Sequence, residues 1–315
     1  MELSIIIVNW NSKAYVAACL RSLEVHAADI QKEVIVIDSG SLDGCGEMIA
    51  RDFPWVHFIQ STENLGFPRA NNVAADQATG RYVLLLNPDT EVHAGALQAL
   101  LQEIKRIPDA GIIGARLLNT DGSLQTSCIQ AFPSVIGELF NAEVFRRRFP
   151  LAPIWGMSAL YAKPQMTAKV EMIIGACMLM TRTLFEKVGR FSSDYFMYVE
   201  DVDLCRKVCE AGYSNYYVPT AIITHHGGGS SRQVSGFSAR MRSESLERYF
   251  RKWNGSLSGW SFRMGQGGAA VFRLALLAVA ERTRRNSSEL AKTKAAVVKW
   301  KAVASWAFYK QVSNP

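Results

Sequence analysis

Tyr82-Val83-Leu84-Leu85-Leu86-Asn87-Pro88-Asp89-Thr90 is the stretch that decides the fold. An apolar run bounded by Gly80 and Pro88 stops abruptly at an amide, a proline and a carboxylate. Such a run fits a strand buried on both faces, although a short buried helix segment carries the same signature. Pro88 ends it, because proline has no N–H to give to a sheet ladder. If parallel strands precede it, Asp89 lies outside the carboxyl edge of an open α/β sheet, where such sheets bind their ligands. Taken alone, Asp89 is equally a cap for the next helix.

Working toward the N-terminus, Ser4 to Val8 reads as a buried strand. Asn9-Trp10-Asn11-Ser12 then supplies turn and N-cap residues for a helix through Leu23. Glu33 to Ile37 repeats the strand pattern and ends in Asp38-Ser39-Gly40-Ser41-Leu42-Asp43-Gly44, a turn-rich segment. Trp55 to Ile59 is a third strand. It is followed by Glu63-Asn64-Leu65-Gly66-Phe67-Pro68-Arg69 and an alanine-rich helix. After Asp89, the spacing of Leu97, Leu100, Leu101 and Ile104 places them on one helix face, and Gly111 to Leu117 is the next strand. Strands alternating with helices predict a doubly wound, mostly parallel sheet with helices on both faces.

Residues 119–170 break this rhythm with four prolines, a helix starting at Ser134 and the basic run Arg146-Arg147-Arg148. A long interruption inside a domain is usually functional, and an acceptor-side insertion is expected there. The alternation resumes at Met172 to Met180. Glu200 and Asp201 then open a helix that reaches Glu210 and stops at Gly212. Two short strands, Asn215 to Val218 and Ala221 to Thr224, run into His225-His226 and a glycine-rich loop, Gly227 to Ser231. A catalytic domain is expected over residues 1–255 and a basic helical extension over 256–315, with a break at Gly265 to Gly268.

The chain has 315 residues, nearly half of them hydrophobic, and a formal net charge of +7. That charge is not evenly spread. Residues 263–315 hold ten Lys and Arg against two Glu, whereas residues 1–262 hold 25 basic and 26 acidic side chains. The imbalance argues against a nucleic-acid-binding body and for local contact with an anionic surface. Ala269 to Ala280 is apolar but short of the ~20 residues a spanning helix needs. In the last helix Leu290, Val297, Trp300, Ala304, Ala307 and Phe308 form a stripe edged by lysines, the pattern of a helix lying in a membrane interface. The opposite side carries Val298, Trp306 and Tyr309, so packing on the domain is the other reading. Six cysteines without a paired framework, and no hydrophobic leader, are read as reduced thiols in the cytoplasm. Cys205 and Cys209 lack the second ligand pair of a structural zinc site.

Asn9, Asp38, Asn87 to Asp89 and His225 each end a strand and would line one sheet edge. In this order, with Asn64-Leu65-Gly66-Phe67 and Glu200-Asp201, they resemble the inverting glycosyltransferases of family 2, which have the so-called A-type fold, and within them the rhamnosyltransferase branch. The resemblance runs over about residues 3 to 253. It implies transfer of a sugar, with L-rhamnose from dTDP-rhamnose favoured and UDP-linked sugars next, to a hydroxyl of a lipid-linked or polysaccharide acceptor. A polyprenyl-diphosphate-linked glycan at the cytosolic membrane face is the expected acceptor.

The family's aspartate-x-aspartate motif falls on Asn87-Pro88-Asp89. Asn87 replaces its first aspartate, which leaves Asp89 as the metal contact and Asn87 as a donor contact. The expected cofactor is Mg²⁺ or Mn²⁺, which neutralises the charge growing on a leaving nucleoside diphosphate. His225 is the second protein ligand by the family pattern, ahead of His226; otherwise it is an ordinary buried histidine. Asp201 resembles the base that takes the acceptor's proton, and Glu200 would orient acceptor or loop. Both acids, with Asp203, also suit a helix N-terminus. By the same resemblance Asp38 and Asp43 contact ribose or base, Asn9 lines the nucleobase, and Asn64 and Arg69 reach the donor's other polar groups. Arg69 reads equally as a solvated helix residue. The glycine-rich loop would close over the diphosphate. Among other classes, an oxidoreductase lacks its G-x-G-x-x-G after the first strand. A nucleotidyltransferase and an inactive nucleotide-sugar-binding scaffold stay as alternatives.

Overall fold

A computed structural model describes residues 1–139, 166–227, 235–283 and 287–309. Arg146 to Arg148 and the loop residues 228–231 lie outside the described residues. By their contacts the described residues form two compact units, one of residues 1–132, 166–196 and 200–227, the other of residues 133–139, 197–199, 235–283 and 287–309.

The first unit alternates as the sequence predicts. It runs β1 (Leu3–Asn9), α1 (Lys13–His26), β2 (Lys32–Ser39), α2 (Cys45–Asp52), β3 (His57–Ser61), α3 (Gly66–Ala75), β4 (Tyr82–Leu86), β5 (Thr90–Val92), α4 (Ala96–Arg106) and β6 (Ala110–Leu118). β1 and β4 are buried along their whole length, which is why they read as unbroken apolar runs. Leu97, Leu100, Leu101 and Ile104 of α4 are all buried, as their spacing requires. β3 starts two residues later than expected because Phe53 to Val56 closes a turn, with the Val56 N–H donating to the Phe53 carbonyl at 3.0 Å.

The main sheet has the order β3-β2-β1-β4, then β10 (Cys177–Thr181), β6, β11 (Ser214–His225) and β5. Its first four strands are parallel, the product of βα units wound in sequence. β10 (Cys177–Thr181) enters antiparallel between β4 and β6. It follows the short strands β7 (Ile129–Gln130), β8 (Ala168–Val170) and β9 (Met172–Ile173), of which β7 and β9 form a separate small ribbon. α6 (Arg182–Lys187) and α7 (Glu200–Glu210) lead to β11 (Ser214–His225). The two strands expected at 215–218 and 221–224 are one strand. Its register against β6 shifts between Val218 and Ile222, around Pro219, which has no N–H for the ladder.

The second unit contains α5 (Val135–Leu139), α8 (Ser235–Asn254), α9 (Ser256–Thr283) and α10 (Ser287–Phe308). α8, expected within the 1–255 domain, therefore groups with the C-terminal helices. The expected break at Gly265 to Gly268 is absent, and α9 runs through it. Gly265 and Gly267 serve close packing: a Cβ on Gly265 would lie 2.7 Å from the Leu139 side chain, and one on Gly267 would lie 2.9 Å from the Ala307 Cβ. Phe250, Phe262 and Trp306 form the aromatic core, with Phe250 and Phe262 5.0 Å apart between centroids. Arg263 donates to the Trp306 and Ala307 carbonyls at 2.8 and 3.0 Å, satisfying the end of α10. Of the stripe expected to face a membrane, Ala307 is buried, Leu290, Val297, Trp300 and Ala304 are partly covered and Phe308 is exposed; from the opposite side Trp306 is buried where α10 packs on α8 and α9, while Val298 and Tyr309 are exposed. Among the described residues no helix is long and apolar enough to cross a membrane.

Candidate active site

Register brings the polar strand ends together. Asn9 and Asp38 are directly paired residues of β1 and β2, and the Asn9 amide donates to an Asp38 oxygen at 2.6 Å. The same amide reaches Ser41 Oγ at 3.1 Å and both Asp43 oxygens at 3.3 Å. Asp38 also accepts from the Ser41 N–H at 2.7 Å and from Gln60 Nε2 at 3.0 Å, so its orientation is fixed before any ligand arrives. Asp43 accepts from the Lys13 N–H at 2.8 Å, at the start of α1. Asn64 Oδ1 accepts from the Gly66 N–H at 3.0 Å and from Ser39 Oγ at 3.3 Å, tying the α3 entry to the end of β2. Arg69 stands apart from this cluster, exposed and loosely paired with Glu63 at 3.8 Å.

At the end of β4 the chain turns outward. The Asn87 N–H donates to the Ala176 carbonyl at 3.0 Å, and β5 then pairs with β11 so that Thr90 faces His225. That register sets His225 Nε2 3.3 Å from an Asp89 oxygen, both side chains being nearly buried. Asn87 Nδ2 lies 3.4 Å from the same nitrogen, while Asn87 Oδ1 is buried with no hydrogen-bond partner.

Gln125 completes this corner. Asn119 Nδ2 donates to Ser123 Oγ and toward the Leu124 carbonyl, so its Oδ1 is left to accept from Gln125 Nε2 at 3.2 Å. Gln125 therefore presents Oε1 to His225 Nδ1 at 2.8 Å. The carbonyl oxygen requires an N–H on Nδ1, so Nε2 is the ring nitrogen turned toward Asp89. His226 is differently engaged. Its two ring nitrogens meet Glu91 at 2.7 Å and Thr120 at 2.9 Å, and its ring lies 5.7 Å from that of Tyr15.

Asp201 is tied to the same edge through one backbone step. The Gly175 N–H donates to its Oδ2 at 2.8 Å, and Gly175 adjoins the Ala176 carbonyl that holds Asn87. Its Oδ1 accepts from the Val202 N–H at 2.8 Å. Glu200 is fully buried. Loss of solvent and the neighbouring Asp201 charge push its carboxyl well above the usual carboxylate range, and its Oε2 has no hydrogen-bond partner. The two residues before it, Tyr198 and Val199, both hold φ near +68°, a strained conformation for a β-branched residue. Asp203 is spoken for by Ser192 at 2.6 Å and Tyr195 at 3.3 Å.

Among the described residues, two groups of side chains could hold a cation. Asp38, Asp43 and Cys45 have ligand atoms within 4.8 Å of one another. Burial and the two carboxylates push the Cys45 thiol up to about 12, however, and the carboxylates are already engaged by Asn9. A protonated thiol is a poor partner for a hard cation. Asp89 Oδ1, His225 Nε2 and the orphaned Asn87 Oδ1 fit one better, since they offer hard oxygens with an imidazole.

The structure thus brings Asn9, Asp38 and Asp43 into one cluster, and Asn87, Asp89 and His225 into a second. Gln125 has no periodicity or motif to mark it, since it lies in an irregular segment and meets a residue 100 positions away. Ser41 and Gln60 act on Asp38. The first was visible in the Asp38-to-Gly44 turn, whereas the second depends on the pairing of β2 with β3.

Three comparisons place the chain among known proteins. The N-acetylglucosaminyl-diphospho-decaprenol L-rhamnosyltransferase of Mycobacterium tuberculosis is 30% identical over 241 residues, which cover 71% of this chain and 76% of that protein. Rhamnosyltransferase WbbL of Escherichia coli K12 is 24% identical over 257 residues, 79% of this chain and 92% of that one. The fold resembles that of the mannosyltransferase PcManGT from Pyrobaculum calidifontis, solved with GDP-Man and Mn²⁺. The TM-score is 0.58 at 17% identity, over 98% of this chain and 88% of the other. Residues 4–189 match glycosyl transferase family 2, and this chain belongs to that family of glycosyltransferases.

Proposed function

We propose that the protein transfers L-rhamnose from dTDP-L-rhamnose, with inversion, to a hydroxyl of a polyprenyl-diphosphate-linked glycan, working as a peripheral protein at the cytosolic membrane face. The observation that carries this reading is the placement of Asp201 on the Gly175 N–H, one residue from the strand edge that holds Asn87, Asp89 and His225. The names of the two rhamnosyltransferase relatives support the sugar, and the decaprenol-linked substrate named for one of them supports the acceptor.

In this reading Asp38 and Asp43, preset by Asn9, receive the nucleoside through their remaining acceptor positions. Asn64 and Arg69 contact the donor's outer polar groups. Asp89 and His225 would hold Mg²⁺ or Mn²⁺, with Asn87 Oδ1 available to the cation or to its water, and the ion supplies charge stabilisation for the departing diphosphate. Asp201 accepts the proton of the acceptor hydroxyl as its oxygen bonds to the anomeric carbon and the bond from that carbon to the diphosphate oxygen breaks. Two backbone N–H groups hold the Asp201 carboxylate in place and favour its charged form. Burial and the neighbouring Asp201 charge hold the Glu200 carboxyl well above the usual carboxylate range, which favours its uncharged form. It acts as a positioning group for the helix start.

Thermal shift with dTDP-L-rhamnose, UDP-linked sugars and GDP-mannose, each with Mn²⁺, tests the donor. dTDP-L-rhamnose should give the largest rise in Tm. A larger rise with a UDP-sugar would replace the donor, and nucleotide binding without sugar transfer to any lipid-linked acceptor would favour an inactive scaffold.

A further inference from the structure

The second unit leaves one apolar helix face in solvent. α9 turns Gly259, Phe262, Gln266, Gly267 and Ala270 inward. On its other side Leu257, Trp260, Val271, Phe272 and Leu276 are all more than half exposed, Phe272 at 66%. From Met264 to Ala280 the helix carries a single charge, Arg273, whose guanidinium lies over the Trp300 ring at 4.3 Å. Phe308 extends the face onto α10. It is half exposed, and its ring meets α9 so closely that a Cβ on Gly267 would lie 2.7 Å from its Cζ. One and two heptads before Phe308, on the same side of α10, stand Lys301 and Lys294, both exposed. Together these apolar side chains open an area on the order of several hundred Å², about as large as the biggest patch a monomeric protein ordinarily shows.

We propose that this face is the membrane-docking surface: α9 lies along an anionic bilayer with Leu257, Trp260, Val271, Phe272 and Leu276 toward the acyl chains, and Lys294 and Lys301 meet the headgroups. The proposal rests on the peripheral-membrane reading above and places the apolar contact mainly on α9 rather than on the tail stripe, because of that stripe only Phe308 is exposed. The apolar stretch is too short to span, so an in-plane orientation is the one that buries it. Charge selects a bilayer over a second copy of the chain. Residues 263–315 carry a balance of +8, which anionic lipid complements. An isologous dimer would instead set the patch, with its lysine edge, against an identical one.

Full-length protein is sedimented with vesicles of phosphatidylcholine alone and of phosphatidylcholine with phosphatidylglycerol, while tryptophan emission is followed. The expected result is binding to the anionic vesicles with a blue shift in which Trp260 takes part. The double variant Phe272→Gln/Leu276→Gln should weaken that binding at least about tenfold, since it removes two large apolar contacts. Lys294→Glu/Lys301→Glu should weaken it by a similar factor, and both variants should keep the donor-induced thermal shift of the wild type. If the wild type ignores anionic vesicles, the peripheral-membrane reading itself falls. If the wild type binds and the Phe272/Leu276 variant binds equally well, the assignment to this face is overturned and the reading survives. A dimer seen by light scattering, dissolved by the Phe272/Leu276 variant and indifferent to vesicles, would give the surface to a second copy and overturn the proposal.

Discussion

Replacing Gln125 by leucine removes the acceptor that fixes the His225 ring, with no change to Asp89 or to His225 itself. The bond at stake is 2.8 Å long and lies in a nearly buried corner where His225 is 8% exposed. A neutral hydrogen bond contributes about 1 kcal/mol, and stranding the buried Nδ1–H adds roughly 1–3 kcal/mol. The ring can recover part of that by turning or changing tautomer, and either change carries the Nε2 lone pair away from Asp89. Loss of a group that orients a metal ligand typically lowers affinity about 10- to 100-fold. Calorimetric titration of Mn²⁺ with dTDP present should therefore show a 10- to 100-fold weaker Kd for Gln125→Leu. Gln125→Glu, which keeps an acceptor oxygen, should stay close to the wild type. In the free protein, ¹⁵N NMR should show the His225 proton on Nδ1 for wild type and a mixture of tautomers for the leucine variant. An affinity for Gln125→Leu within about twofold of wild type, alongside clear loss in His225→Ala, would refute the positioning argument. No loss in His225→Ala would refute the metal assignment instead.

Glu200→Gln should change how stability depends on pH. The fold holds the Glu200 proton well above the ordinary value of 4.5, so the wild type loses stability relative to the unfolded chain as pH rises past that value. The Tm of the glutamine variant relative to wild type should climb from about pH 4.5 toward neutrality, and a flat or falling difference would contradict the burial argument. Gly66→Ala should destabilise by about 2 kcal/mol or more, lowering Tm by about 4 °C or more, because Gly66 has φ +71° and a Cβ there would lie 2.3 Å from the Phe196 carbonyl oxygen. A thermal melt unchanged from wild type would count against that close approach. Arg69→Ala should leave stability within about 0.5 kcal/mol, since its exposed 3.8 Å pair with Glu63 contributes little, while raising the donor KM several-fold. An unaltered KM would return Arg69 to the solvated surface.

What could be read in advance was governed by burial and by period. β1, β4 and α4 are buried in the way their patterns imply, and the polar residues that end β1 and β2 meet because parallel strands share one carboxyl edge, at which β4 also ends. Strand direction leaves no such trace. The apolar stretch at 177–181 shows a buried strand, but its antiparallel entry depends on the path taken through an irregular segment. Two strands are expected at 215–218 and 221–224, and the chain instead absorbs the ladder defect at Pro219, which has no N–H, as a register shift. Gly265 and Gly267 suggested a helix break, since their packing role appears only when Leu139 and Ala307 are set against them. The last helix showed apolar residues on two sides without showing that Val303, Trp306 and Ala307 would be the ones buried. In the site, the acids and His225 carried recognisable spacing, whereas Gln125 and Gly175 act through contacts between segments far apart in the chain.

The central claim is that Asp201 takes the acceptor's proton in a single inverting displacement. Its most direct test compares wild type with Asp201→Asn, using dTDP-L-rhamnose and a polyprenyl-diphosphate-linked acceptor. The readouts are product formation, the anomeric configuration of the product by NMR, and donor Kd by calorimetry. Asparagine keeps one oxygen for the Gly175 N–H, so the fold and the donor site should survive. The expected result is an inverted product from wild type and a kcat lowered by about 10²- to 10⁴-fold in the variant, with donor Kd within a few-fold. A well-folded Asp201→Asn variant that turns over at near wild-type rate, or a product with retained configuration, would contradict the account.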